Sequence, residues 1–217
     1  MNQSIRRNWL RIVTHVACLI PFALLLLDYS RDQLTVNPIQ EATLRTGKAA
    51  LVTLVLSLVC TPLNTLFGFK QALPLRRPLG LYAFFYALLH LTIFVAIDYG
   101  FDFEFIALEL GEKRYVIAGF AAFLLLLPLA LTSTKAAMRR LGKRWKPLHK
   151  LVYLAAGLAI LHFAWLVKAD LGEPLAYGAA VGGLLLLRVP AVRRALIRVR
   201  QRRAAPVAAE RPIEERT

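Results

Sequence analysis

The sequence predicts an all-α integral membrane protein: a bundle of six transmembrane helices with both termini in the cytoplasm. Three observations carry that reading. The 217 residues are 58% hydrophobic with a mean hydropathy of +0.54, where a soluble globular chain is nearer half apolar. The apolar residues gather into six long runs, most of them close to the ~20 residues that cross a hydrocarbon core. The basic residues alternate strongly between successive connections, which orients the bundle.

The runs are 9–27, 49–67, 79–97, 115–131, 148–167 and 174–187. No alternating ten-residue strands of a membrane β-barrel occur, so helices must satisfy the spanning backbone. The first run follows Arg6-Arg7, a twin-arginine look. No small-residue cleavage site comes after it and five more spans do, so it reads as a retained helix rather than a signal peptide. The sixth is shorter and glycine-rich, with Gly178, Gly182 and Gly183.

Of the Lys and Arg residues, three lie at the amino end, three in 67–78, seven in 132–150 and nine from 188 onward. The connections 28–48, 98–114 and 168–173 share the remaining six. The positive-inside rule then places both termini in the cytoplasm. The net charge of +15 is accounted for by anionic membrane lipid at that face, without nucleic acid. The outer connection 98–114 is acidic and carries Phe and Leu, which suits either a solvated connector or a surface meeting lipid or a partner. No tandem repeat is visible. Residues 1–192 form the membrane domain, and 193–217 read as a basic, disordered cytoplasmic tail.

Cys18 and Cys60 lie inside apolar runs with no CxxC spacing and read as small buried hydrophobes. There is no HExxH, no GxSxG and no glycine-rich phosphate loop. No catalytic residue is assigned.

The four histidines, His15, His90, His149 and His162, all fall on spans or at their edges. A lone buried histidine is most simply a hydrogen-bonded core residue, but ionisable side chains inside a membrane mark function by default. At ~1.5 Å rise per residue, His90 lies ~18 Å past Pro78 and His162 ~22 Å past Pro147. These two therefore share a level in the outer half of the bilayer. His15 and His149 share a second level near the cytoplasm. Two levels ~20 Å apart by the same rise cannot serve one metal ion, whose bonds to nitrogen are about 2 Å, but they suit iron porphyrins stacked across a bundle. Methionine occurs only at Met1 and Met138, so six-coordinate haem here is bis-histidine. On one ideal helix His149 and His162 would point roughly 140° apart.

The stretches THVACLIPF (14–22), RRPLGLYAFFYALLHL (76–91) and LTSTKAAMRRLGKRWKPLHKLVYLAAGLAILHFAW (131–165) resemble MsrQ (YedZ), a family of haem-binding membrane subunits within the ferric-reductase-like transmembrane domains. The resemblance runs to about Arg194. It implies a bacterial inner-membrane electron-transfer subunit without its own substrate-reducing site. Electrons from the quinone pool or a cytoplasmic flavin donor would pass through haem b to MsrP, a periplasmic molybdenum-containing reductase that repairs oxidised methionine in proteins. FMN is also implied. His90, His149 and His162 match the family's haem-ligand histidines, and His15 falls in the matching first-span motif.

Related domains often carry a second histidine on the third span, where this chain has Arg76 and Arg77. Arginine stays protonated and cannot ligate iron. Two arrangements stay open: His15 pairs with His149 around a second haem, or one haem sits between His90 and His162 alone. Arg76 or Arg77 would hold a haem propionate. The segment 132–146, with six basic residues and no acid, is either a positive-inside anchor or a landing site for a flavin phosphate. In the second case Arg139 and Arg140 contact the phosphate and Trp145 stacks on the ring. The competing functional class is a small transporter or proton relay built on the same intramembrane histidines.

Overall fold

The computed structural model describes residues 3–167, 170–192, 194–196 and 198. The described residues contain no strand, and their α-helices run in the order α1 (Gln3–Ser30), α2 (Pro38–Phe67), α3 (Arg76–Thr92), α4 (Phe103–Glu112), α5 (Arg114–Leu131), α6 (Lys135–Leu141), α7 (Trp145–Leu148), α8 (Leu151–Val167) and α9 (Gly172–Leu186). A 3-10 segment, Lys70–Leu75, leads into α3, and a π segment, Ile93–Asp98, extends it. Among the described residues, four helices are long and apolar enough to cross a membrane. Two further pairs, Lys135–Leu148 with Leu151–Val167 and Gly172–Leu186 with Pro190–Leu196, bring the number to six if each is one span bent by 53° or 65°. The tail assigned to 193–217 lies largely outside the described residues.

Two helices show local reasons for where they begin. Asn37 caps α2, its Oδ1 accepting from the Gln40 N–H at 3.1 Å with Pro38 in the first turn. Pro tolerates that position because its missing N–H would be unpaired anyway. Gly68, at φ 72°, closes the helix in the left-handed conformation glycine adopts freely. The span begins eleven residues before the apolar run because Pro38 and Asn37 set its start, not hydropathy. The acidic connection 98–114 is a helix over much of its length: Asp102 caps α4 by accepting from the Phe105 N–H at 3.0 Å.

Two helical hairpins, α2 with α3 and α5 with α8, form the centre, with α1 and α9 packed outside them. Their core holds Leu54, Leu58, Ala83, Leu126, Ala155, Ala156 and Val181. Ala83, Ala155 and Ala156 are fully buried; small side chains let helix backbones approach where lipid supplies no hydrophobic drive. Outward positions are apolar instead of polar, as at Leu124 and Leu154, consistent with a lipid-facing surface.

Proline breaks are repaired by side chains from neighbouring helices. Pro21 opens α1, and the buried Tyr86 hydroxyl of α3 enters the gap. It donates to the Cys18 carbonyl at 2.5 Å and accepts from the Phe22 N–H at 3.2 Å. Pro62 cannot bond the Leu58 carbonyl four residues back, and Arg188 Nη2 donates to that oxygen at 2.5 Å.

Candidate functional site: two facing histidines in the bundle core

His90 sits near the end of α3, three residues before the chain widens into the π segment. His162 sits on α8. Their ring centroids are 6.0 Å apart with planes at 87°. The common level expected from helix rise is what the structure shows.

Both rings are held the same way. His90 Nδ1 lies 2.8 Å from the Thr43 carbonyl of α2, and His162 Nδ1 lies 2.6 Å from the Tyr115 carbonyl of α5. A carbonyl only accepts, so each Nδ1 carries the hydrogen and each Nε2 keeps its lone pair. This is the arrangement in which an outer hydrogen bond fixes the tautomer of a metal-ligating histidine. An iron–nitrogen bond of about 2 Å, plus roughly 1.1 Å from nitrogen to ring centre, puts two end-on imidazoles ~6.2 Å apart. The observed separation fits one iron between them. With both Nε2 atoms on the line between the rings, planes at 87° would be compatible with it.

The rings lie directly against helix backbone at two glycines. A Cβ built on Gly119 would stand 2.6 Å from His162 Nδ1 and 2.9 Å from its Cε1; on Gly47 it would stand 3.1 Å from both His90 Cε1 and Nδ1. Gly47 is four residues past Thr43, and Gly119 four past Tyr115. The carbonyl and the gap therefore belong to one turn of each helix. In both hairpins the histidine follows its carbonyl partner by 47 residues. One constant shift along the chain superposes Gly47 on Gly119, Leu54 on Leu126, Ala83 on Ala155 and His90 on His162. The correspondence lies at core positions and at the rings, and the equal spacing of Gly47 to His90 and Gly119 to His162 is the signal that exposes it. Under the same shift Arg77 falls where His149 stands, so the second level has lost its symmetry.

His149 lies in the break between α7 and α8, so the ideal-helix angle between it and His162 does not apply. Its ring stacks on Trp145 with centroids 3.9 Å apart. Its Nδ1 is 3.2 Å from the Trp145 carbonyl, and its Nε2 is buried without a partner. Trp145 is itself fixed, Nε1 donating to the Thr132 carbonyl at 3.0 Å. His15 is exposed on α1 and bonds the Tyr82 hydroxyl of α3 through Nδ1 at 3.0 Å. No contact among the described residues joins it to His149. Arg76, Arg77, Arg139 and Arg140 are exposed, and the Arg76 charge reaches the His149 ring. Among the described residues no three His, Cys, Asp or Glu side chains converge as a site for a bare metal ion.

Residues 46–160 match the family model of the ferric reductase like transmembrane component. The chain is also 46% identical to the protein-methionine-sulfoxide reductase heme-binding subunit MsrQ of Rhodospirillum rubrum, over 85% of this chain and 89% of that protein. This chain belongs to the MsrQ family of ferric-reductase-like membrane proteins. Other MsrQ subunits agree: 45% identity to that of Herminiimonas arsenicoxydans, over 80% of this chain and 81% of the relative, and 43% to that of Xanthomonas axonopodis pv. citri, over 82% and 85%. No solved structure matches the chain. The family match contains Gly47, His90, Gly119 and His149 and stops two residues short of His162.

Proposed function

We propose that this MsrQ-family chain is the haem-binding membrane subunit of a methionine-sulfoxide reductase system, with His90 and His162 as the axial ligands of one b-type haem. The observation that carries the reading is the facing pair of imidazoles, 6.0 Å apart, each with Nδ1 tied to a carbonyl. When bound, haem supplies a one-electron redox couple. The chain's own residues do the rest. Thr43 and Tyr115 carbonyls hold the rings in the tautomer that exposes Nε2, Gly47 and Gly119 make room for them, and the apolar bundle keeps water out and tunes the potential.

The partnerless His149 Nε2 is a ligand for a second, inner haem. His15 would join it through Nε2, with its Nδ1 kept on the Tyr82 hydroxyl. On this reading electrons enter at the basic end from quinol or a flavin such as FMN, with Arg139 and Arg140 at the landing surface. They leave at the acidic end toward MsrP in the periplasm of a bacterium, across its inner membrane, with both termini cytoplasmic. The chain supplies no substrate-reducing group.

The test is the electron paramagnetic resonance and visible spectrum of purified oxidised and reduced protein. The reading predicts a low-spin bis-imidazole signal and reducible α-bands. A colourless, folded protein that moves protons across vesicles favours the transporter reading and rejects this one.

A further inference from the structure

The two ends of the bundle differ in how their charges are met. Every acid among the described residues lies within 28–41, 98–112 or 170–173. The ion pairs lie there too: Arg45 with Asp28 and Glu41, Lys48 with Glu173, and Lys113 with Glu109. The opposite end holds Arg76, Arg77, Arg139, Arg140 and Arg188 with no carboxylate among the described residues; Glu210, Glu214 and Glu215 lie outside them.

Arg188 is the member of this set drawn furthest into the protein. It donates to the Pro62-freed Leu58 carbonyl and lies over the Tyr153 ring at 5.1 Å. Its Nε is buried with no partner, and so is the Thr61 hydroxyl one turn beyond Leu58 on α2. The like charge of Arg76 reaches it. A neutral donor would suffice to cap one carbonyl. A permanent cation drawn partly out of water, within electrostatic reach of another, is disfavoured unless an anion compensates it. A guanidinium fork matches phosphate or carboxylate.

We propose that Arg188, with Arg76 and the Thr61 hydroxyl, forms a seat for an oxyanion supplied from outside the described chain. The group is the phosphate of an anionic lipid headgroup, or the carboxylate of a cofactor lodged beside His149; the second source rests on the haem reading above, the first does not. The seat joins the end of α2 and the start of α3 to the segment after α9, so its occupant ties that segment to the first hairpin at the basic face.

The experiment uses the full chain in uncharged detergent, with Arg188→Gln and Arg76→Gln. Dioleoylphosphatidylglycerol and dioleoylphosphatidylcholine are titrated while thermal unfolding is followed, and the midpoint potential of haem-loaded protein is measured in parallel. A lipid phosphate in the seat gives stabilisation by the glycerol lipid only, with about tenfold weaker apparent affinity in Arg188→Gln. A smaller loss is expected in Arg76→Gln, which leaves the Leu58 cap intact. A cofactor carboxylate gives no lipid preference but a lowered potential in both variants. Changing Glu210, Glu214 and Glu215 to Gln leaves either response in place. If both arginine variants match wild type in both measurements, or if the tail variant abolishes the response, the seat does not exist as described.

Discussion

Gly119→Ala puts one methyl group into the tightest contact at the site. The new Cβ would sit 2.6 Å from His162 Nδ1, where ordinary contact begins at 3.4 Å, so the ring must shift by about 0.8 Å. It cannot do so freely. Nδ1 is bonded at 2.6 Å to the Tyr115 carbonyl one turn back on the same helix, and on the other side stands the His90 ring. Overpacking of this kind costs about 1–3 kcal/mol, and a lost neutral hydrogen bond about 1 more. Haem affinity should therefore fall by roughly thirty- to a thousandfold. The assay is haem per protein by pyridine haemochrome, with the rate of haem transfer to an apo acceptor. Gly80→Ala is the control, since its Cβ meets only Ser57 Oγ at 3.6 Å; Gly157→Ala, with nothing within 4 Å, is a second. If Gly119→Ala keeps haem as wild type does, the ring is not pinned where the structure shows it.

Gly47→Ala should be milder, because its nearest contact with His90 is 3.1 Å. A shift in the low-spin resonance with haem retained would show it, and a loss larger than that of Gly119→Ala would contradict the ranking. Tyr86→Phe removes the hydroxyl that bridges the Pro21 break. Stability in detergent should drop by about 1–3 kcal/mol, with faster hydrogen exchange at 18–22, and unchanged exchange there would refute the bridge. Lys113, outside the spans, has its pKa raised by its hydrogen bond to Glu109. A raised pKa adds stability that is whole below lysine's unfolded value, near 10.4, and is lost as pH climbs through the higher folded value. Exchange at the α4–α5 junction should rise only in that alkaline window, and Glu109→Gln should remove the step.

Much of the fold was legible because bilayer thickness acts on whole segments. The runs 9–27, 79–97 and 115–131 are helices, and His90 and His162 share a level because helix rise is uniform. What hydropathy could not show is set by single residues. Asn37 and Pro38 start α2 in polar sequence, Asp102 caps a helix inside an acidic connection, and the chain breaks at His149 after Pro147. The ring partners were hidden for another reason: carbonyls carry no side-chain identity, so Thr43 and Tyr115 leave no motif. Arg188 was counted as one more cytoplasmic charge, and only its contact with the Leu58 carbonyl distinguishes it.

The account rests on His90 and His162 gripping one iron between them. The most direct measurement is the haem content and low-spin resonance of a variant with both histidines changed to alanine, purified beside wild type after haem supplementation. Loss of that low-spin species, with any remaining pigment confined to the His149 level, is the predicted result. A wild-type spectrum and haem-to-protein ratio in the double variant would contradict it.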